Sequence, residues 1–110
     1  MQEANVFRLA VETAALLGHA DRVTREMVVA DCDYVGAGYG IIDDAVIAAL
    51  KLAARTDALL LDPVYTGKAM KGLIALARAG RFDGETVVFL HTGGAQGLFA
   101  YQSVMEGHLQ

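Results

Sequence analysis

The sequence predicts an α/β fold in which a mostly parallel sheet carries helices on both faces. Three short apolar runs, at 27–32, 58–61 and 86–90, have the length and the aliphatic content of buried strands. Stretches with helical spacing of apolar residues alternate with these runs. Because strands separated by helices pair in parallel, residues 1–110 are expected to form a single α/β segment.

Four helices are predicted around these strands, over 4–17, 45–55, 67–79 and 98–104. Gly18 and Gly80 follow two of them, where a glycine in the left-handed conformation commonly ends a helix. Asp43 or Asp44 is expected to cap the second helix, because a carboxylate accepts the free N–H groups of the first turn. Thr66 is expected to cap the third. The inward stripes are expected to contain Val46, Ala49, Leu50 and Ala53, and then Met70, Leu73 and Ala77.

Composition and charge exclude several classes of protein. Hydrophobic residues make up 55% of the chain and charged residues 20%, which excludes disorder. The net charge of −4 without a basic stretch excludes a nucleic-acid partner. No apolar run is long enough to span a membrane and no basic secretion signal is present, so the cytoplasm is the predicted location. Cys32 is expected to be a packed thiol, and three scattered histidines do not predict a metal site.

Three glycine-marked loops follow the predicted strands, at 36–40, 62–67 and 91–94. In parallel α/β sheets, ligands bind where loops converge at the carboxyl ends of the strands. Glycine lets the backbone approach a ligand closely, and a Thr-Gly-Gly turn before a helix exposes N–H groups. The loops together therefore predict a small-molecule cofactor site, although each glycine turn alone is more typical of a simple tight turn.

Two tyrosines lie inside these loops. Tyr39 and Tyr65 are expected to be exposed to whatever the loops face, and a phenol can give or take a proton. An aromatic plug over the end of the sheet is the alternative interpretation. His91, at the end of a predicted strand, is expected to make a structural hydrogen bond.

Three motifs occur in a fixed order: GYG at 38–40, DPVYTGKAM at 62–70 and HTGG at 91–94. Together they resemble the C-terminal part of the D-cysteine desulfhydrase and 1-aminocyclopropane-1-carboxylate deaminase family. These are pyridoxal-phosphate enzymes of fold type II, the architecture of the tryptophan synthase β subunit. The resemblance covers nearly all 110 residues and implies that the α/β segment is part of such a domain.

The resemblance implies roles for particular residues. Tyr39 and Tyr65 would line the substrate side of the cofactor, where they would handle protons or position the amine and carboxylate of a small amino-acid substrate. The residues implied to bind the cofactor are Thr66, Thr92, Gly93 and Gly94. Thr66 stands where desulfhydrases carry threonine and the cyclopropane deaminases carry glutamate, which favours the desulfhydrase branch. Thr92 would lie near the pyridine nitrogen, where a neutral hydroxyl suits loss of a β-leaving group such as sulfide.

The implied reaction of the full family member converts D-cysteine into pyruvate, ammonia and sulfide. The resemblance places the lysine that binds the cofactor covalently, and the phosphate-binding loop, in an N-terminal part that this chain does not contain. Lys51, Lys68 and Lys71 do not match that lysine and are expected to lie in solvent. The chain alone is therefore expected to be inactive and to bind no cofactor.

The apolar composition predicts self-association. Faces that would be buried in the complete family member are expected to be exposed in this piece, and a homo-oligomer would cover them. Two other interpretations stay open: a stand-alone module that binds a small molecule, and an interaction protein that assembles through its apolar surface.

Overall fold

The structure, a computed structural model, describes residues 3–108 and contains five α-helices there. They are α1 (Glu3–Leu16), α2 (Asp44–Asp57), α3 (Thr66–Arg78), α4 (Gly97–Ala100) and α5 (Gln102–Glu106). Two single-turn 3₁₀ helices cover Ala20–Arg22 and Arg25–Met27. The chain divides into two compact units, Met1–Asp31 and Cys32–Gln110. Within the described residues, no helix is both long and apolar enough to cross a membrane.

The first unit consists of α1 and the two 3₁₀ turns. The N–H of Gly18 donates to the carbonyl of Ala15 at 3.0 Å, and that of His19 donates to the carbonyl of Ala14 at 2.9 Å. Gly18 has φ +76°, so it ends the helix in the left-handed conformation. The predicted first helix is confirmed to within one residue at each end.

The parallel sheet is not confirmed by residues 3–108, where no strand is assigned. The predicted strands at 27–32, 58–61 and 86–90 are irregular chain, apart from Met27 at the end of a 3₁₀ turn. Val88 is 85% exposed, although its run was expected to be buried. A strand forms only where a neighbour pairs with its backbone groups. The described residues place no such neighbour beside these runs.

The core of the second unit lies between α2, α3 and the segment before Asp62. The buried cluster consists of Val46, Leu50, Ala53 and Leu61, and the half-buried hydrophobics packed on it are Ile42, Leu59, Met70, Phe89, Leu98 and Met105. The predicted inward stripe of α2 is thus confirmed. Asp43 is the residue that caps α2, because its Oδ1 accepts the N–H of Val46 at 2.8 Å.

Small residues let α3 lie close to α2 and to the second loop. A Cβ at Gly67 would overlap the side chain of Leu50 and would lie 2.7 Å from the carbonyl oxygen of Asp62. Met70 and Leu73 are half-buried as predicted, whereas Ala77 is exposed because the covered part of α3 ends at Leu76. The helix ends as predicted, with Gly80 at φ +76°.

Gly67→Ala should destabilise the chain by about 1–3 kcal/mol, because a methyl group there must displace packed atoms of the core. Urea denaturation followed by circular dichroism measures the change. Gly107→Ala is the matched control: Gly107 has φ −62°, and a Cβ there meets nothing closer than 3.7 Å. Equal losses in the two variants would contradict the close packing at Gly67.

Candidate functional site

Asp62 organises the second glycine loop. It is only 2% exposed. Its Oδ2 accepts the N–H groups of Val64 at 2.8 Å and Tyr65 at 2.7 Å. Its Oδ1 accepts both the N–H and the hydroxyl of Thr66, at 2.9 and 2.6 Å. The prediction that Thr66 caps α3 is therefore wrong: Thr66 is the first helical residue, and the two carboxylate oxygens of Asp62 satisfy the N–H groups.

The carboxyl of Asp62 remains ionised although it is buried. Burial raises its pKa and is the largest single influence, but the hydrogen bonds from Thr66, Tyr65 and Val64 together outweigh it. The pKa of Asp62 therefore lies below its ordinary value. The result is a negative charge at the start of α3, where the helix dipole favours one.

Asp43 caps the start of α2 in a similar way. Its Oδ2 accepts a hydrogen bond from Nζ of Lys71 at 2.9 Å. That bond is the main reason that the pKa of Asp43 lies below its ordinary value, followed by the bond from the N–H of Val46. The starts of the two long helices in this unit thus already hold carboxylates of the chain itself, which leaves neither of them open to a phosphate group.

The structure brings Tyr39 and Tyr65 together. Their phenol oxygens are 2.8 Å apart, and their rings meet edge to face with centroids 5.8 Å apart. Both side chains are exposed, Tyr39 by 77% and Tyr65 by 56%. The hydrogen bond with Tyr39, followed by burial, raises the pKa of Tyr65 above its ordinary value. Tyr65 therefore holds its proton firmly within this pair.

His91 links the third loop by hydrogen bonds to the segment that precedes the second loop. Its Nδ1 accepts the N–H of Gly93 at 3.0 Å, which assigns the ring proton to Nε2. Nε2 then donates to the carbonyl of Leu60 at 2.9 Å. The predicted structural hydrogen bond of His91 is confirmed. Gly94 has φ +92°, and a Cβ there would lie 3.0 Å from Oδ1 of Asp62, so the third loop also adjoins the buried carboxylate.

The two threonines expected at the cofactor have different surroundings. Thr66 is 3% exposed, and its hydroxyl is engaged with Asp62, donating to Oδ1 and accepting the Asp62 N–H at 2.9 Å. Thr92 is exposed, and its hydroxyl has no hydrogen-bond partner among residues 3–108. Of the two, Thr92 alone presents a hydroxyl that a ligand can reach.

The lysines do not lie in solvent as expected. Lys68 is 8% exposed, and its Nζ donates to the carbonyl oxygen of Gly38 at 2.6 Å. Lys71 binds Asp43 as described above, and Nζ of Lys51 donates to the carbonyl oxygen of His108. Sequence reasoning missed Lys68, although a cation in the first turn of a helix opposes the helix dipole and so calls for a nearby acceptor.

Two clefts in the second unit lie apart from the tyrosine pair and Thr92. One, of about 470 Å³, lies between α2 and α3. The other, of about 520 Å³, lies between α2, residues 59–61 and the helices α4 and α5, and is largely apolar. Because Tyr39, Tyr65 and Thr92 are all exposed, the candidate site is an open surface formed by the loops.

Cys32 is exposed, which corrects the expectation of a packed thiol. The reason is that its apolar run is not buried in a sheet. Within the part of the chain that the structure describes, no group of three or more histidine, cysteine, aspartate or glutamate side chains could hold a metal ion.

Comparison with known proteins assigns the chain to a family. Residues 3–93 match the family model of pyridoxal-phosphate dependent enzymes. The chain belongs to this family. A probable 1-aminocyclopropane-1-carboxylate deaminase of Cryptococcus neoformans is 46% identical over 99 residues, which cover 89% of this chain and 29% of that protein. The 1-aminocyclopropane-1-carboxylate deaminase of Ralstonia pickettii is 39% identical over 102 residues, or 92% of this chain and 30% of that protein.

A similar match occurs with a probable 1-aminocyclopropane-1-carboxylate deaminase of Schizosaccharomyces pombe, 40% identical over 102 residues. It again covers 92% of this chain and 30% of the relative. The chain thus spans about 30% of the length of the curated relatives that it matches. The family resemblance inferred from the three motifs is confirmed.

The described residues fit one side of pyridoxal phosphate. Its ring edge can be met by the hydroxyl of Thr92, and the tyrosine pair offers two phenols to a substrate. Each lysine amine is already bonded to an oxygen of the chain, and the helix starts hold Asp43 and Asp62. The hydroxyl and the two phenols are thus groups that suit the ring and the substrate of the cofactor, whereas the amines of the three lysines and the starts of α2 and α3 are already engaged.

Asp62→Asn should lower stability by about 1–3 kcal/mol at neutral pH, since the amide is a weaker acceptor and leaves the Thr66 hydroxyl poorly paired. The folded-state pKa of Asp62 is depressed. Its contribution is therefore full above the unfolded-state value of roughly 4 and is lost as pH falls through the folded-state value. Urea denaturation at several pH values should show the two proteins converging below about pH 4.

Asp43→Asn is the control for this experiment. Asparagine caps a helix about as well as aspartate, and the side chain of Asp43 is 45% exposed, so its ion pair with Lys71 contributes little. A loss of stability at Asp62 that is no larger than at Asp43, or that does not change with pH, would contradict the buried ionised cap.

Proposed function

We propose that this chain forms the substrate-side wall of the active site of a pyridoxal-phosphate dependent lyase that converts D-cysteine into pyruvate, ammonia and sulfide. The observation that carries the proposal is the exposed pair of Tyr39 and Tyr65, with phenol oxygens 2.8 Å apart at the edge of the glycine loops. Membership of the pyridoxal-phosphate family supplies the class of chemistry.

The tyrosine pair would bind the substrate and hold a proton near it. Two phenol oxygens at hydrogen-bond distance can share one proton and still accept or donate to an amine or a carboxylate. The hydrogen bond with Tyr39, followed by burial, raises the pKa of Tyr65, so this phenol stays protonated and would donate a hydrogen bond to a substrate atom. Tyr39 would orient that proton through its own oxygen.

Thr92 would meet the pyridine nitrogen with a neutral hydroxyl, supported by the turn that Gly93 and Gly94 form. When bound, pyridoxal phosphate withdraws electrons from the α-carbon of an amino acid. A hydroxyl does not hold the ring nitrogen protonated as a carboxylate would, which suits elimination of sulfide. Thr66 would act indirectly: it holds the carboxylate that accepts the N–H of Tyr65.

The lysine and the phosphate cradle would come from outside these 110 residues. All three lysine amines of the chain are bonded elsewhere, as described above. The runs at 58–61 and 86–90 would pair with strands of the remaining enzyme and so complete the parallel sheet of a fold-type-II domain. On this proposal the chain alone has no turnover and retains no cofactor.

The exposed apolar side chains support association with another surface. Val88 is 85% exposed and Phe99 is 82% exposed. A patch of such side chains would be covered either by the rest of the enzyme or by a second copy in a homo-oligomer. The exposed thiol of Cys32 is compatible with a reducing compartment, so we place the enzyme in the cytoplasm.

The second candidate is ring-opening deamination of 1-aminocyclopropane-1-carboxylate. It is favoured by the names of the relatives, which are deaminases at 39–46% identity. Thr66 favours the desulfhydrase reaction, because the family resemblance implies a glutamate at that position in the cyclopropane deaminases. Thr66→Glu would place a second carboxylate against that of Asp62. Comparing the rates on the two substrates therefore distinguishes the two candidate functions better than this substitution does.

A chimaera tests the proposal: the Ralstonia pickettii deaminase with its matching part replaced by this chain. We expect sulfide release from D-cysteine to exceed ammonia release from 1-aminocyclopropane-1-carboxylate. Tyr65→Phe should lower kcat by about 10²- to 10⁴-fold, the usual cost of losing a proton donor. Tyr34→Phe is the matched control, because that ring packs near Gly72 and is not part of the hydrogen-bonded pair.

Full activity of the Tyr65→Phe chimaera would refute the role of the tyrosine pair. A chimaera that prefers the cyclopropane substrate would favour the deaminase candidate over the desulfhydrase.

A further inference from the structure

Lys68 occupies an unfavourable place for a lysine. It is 8% exposed and lies in the first turn of α3, where the helix dipole repels a cation. An ammonium group there needs a strong acceptor, since burial of an unpaired charge costs several kcal/mol. That acceptor is the carbonyl oxygen of Gly38, 2.6 Å from Nζ. This short charge-assisted bond joins positions 30 residues apart in the sequence.

The bond lies beside the tyrosine pair. The carbonyl of Gly38 belongs to the peptide group that continues into Tyr39, so fixing this oxygen fixes the planar unit from which Tyr39 projects. Tyr65 immediately precedes α3, three residues before Lys68. The first turn of α3 and the residue before it therefore contact the first loop at two points. Lys68 binds the backbone of the loop, and Tyr65 binds the phenol oxygen of Tyr39.

Packing does not hold Tyr39 in place. Its side chain is 77% exposed, and the ring contact it makes within residues 3–108 is the edge-to-face contact with Tyr65. An exposed tyrosine samples several rotamers unless its backbone is anchored where one rotamer reaches a partner. The anchor nearest to Tyr39 is the carbonyl of Gly38, which accepts a bond from the N–H of Ile41 at 3.3 Å and the shorter one from Lys68 at 2.6 Å.

We infer that Lys68 is a positioning residue, which keeps Tyr39 at hydrogen-bond distance from Tyr65 by holding the carbonyl of Gly38. The catalytic consequence of this inference rests on the proposed function. Lys68 itself does not contact substrate or cofactor. Its amine serves the first loop, and through that loop it determines where the proton of Tyr65 points.

Lys71 provides a matched control. It lies one turn further along α3 and also binds the connection between the first loop and α2, through Asp43 at 2.9 Å. Its bond ends at Asp43, and the pair lies against Gly36 at the start of the first loop, but it does not include the peptide before Tyr39. Loss of Lys71 should therefore loosen the start of α2 without releasing Tyr39.

The test follows the titration of Tyr65 by NMR in the chain labelled with ¹³Cζ-tyrosine, from about pH 8 to about pH 12. The pKa of Tyr65 is raised chiefly by its bond to Tyr39. Lys68→Met should shift it downward, in the direction that Tyr39→Phe also gives. Lys71→Met should leave it raised. An unchanged titration in folded Lys68→Met would overturn the inference.

A second measurement covers the case in which Lys68→Met does not fold. In the unmodified chain, a hydrogen-bond scalar coupling should join ¹⁵Nζ of Lys68 to the carbonyl carbon of Gly38. Its absence, with the Lys68 ammonium signal resolved, would also overturn the inference.

Activity provides a separate readout. In the chimaera, Lys68→Met should lower kcat on the order of 10- to 100-fold, because a small displacement of a proton-handling group is costly, whereas Lys71→Met should not. If the titration shifts but Tyr65→Phe does not affect turnover, the positioning inference stands and the proposed function fails. If Tyr65→Phe abolishes turnover but Lys68→Met changes neither readout, the proposed function stands and the inference fails.

Discussion

The buried carboxylate of Asp62 is the interaction on which the second unit depends. Its two oxygens accept three N–H groups and one hydroxyl, which fixes the turn after Pro63 and the start of α3. The cost of burying a charge is outweighed by these donors, so the carboxylate stays ionised at the end of the helix that favours it. Without this cap, Tyr65 would have no defined position.

The same carboxylate sets the position of the third loop. Gly94 and Gly97 both lie against the Asp62 side chain, and a Cβ at Gly94 would come within 3.0 Å of Oδ1. His91 adds a second contact, because its Nε2 donates a hydrogen bond to the carbonyl of Leu60. The loop that carries Thr92 is thus placed by glycine contacts and one histidine, with its hydroxyl left at the surface.

The first loop reaches the same place through α3. Three positions spaced three residues apart along that helix and its cap bind the first loop and its connection to α2: Tyr65 binds Tyr39, Lys68 binds Gly38 and Lys71 binds Asp43. Helix α3, whose start is fixed by the carboxylate of Asp62, therefore holds the first loop next to the second loop. The sequence predicts that the three loops converge at the edge of a sheet. Residues 3–108 form no sheet, but contacts hold each loop against a neighbouring segment.

Local pattern and motif spacing predicted much of this arrangement. The inward stripe of α2, its Asp43 cap, the glycine ends of α1 and α3, and the hydrogen bond of His91 all depend on nearby residues or on a simple periodicity. The sheet could not be confirmed because strand pairing depends on neighbouring strands that residues 3–108 do not supply. Lys68 was missed because its acceptor is a backbone carbonyl, which no side-chain pattern marks. The predicted capping role of Thr66 was wrong because the carboxylate of Asp62 accepts the N–H groups that Thr66 was expected to cap.

A crystal structure of the chimaera with pyridoxal phosphate and a substrate analogue tests the central claim most directly. The account predicts that the phosphate binds residues outside this chain, that Asp62 still caps α3, and that the phenol oxygens of Tyr39 and Tyr65 lie within hydrogen-bond distance of the substrate. A phosphate bound at the start of α3 with Asp62 displaced, or a tyrosine pair directed away from the cofactor, would contradict it.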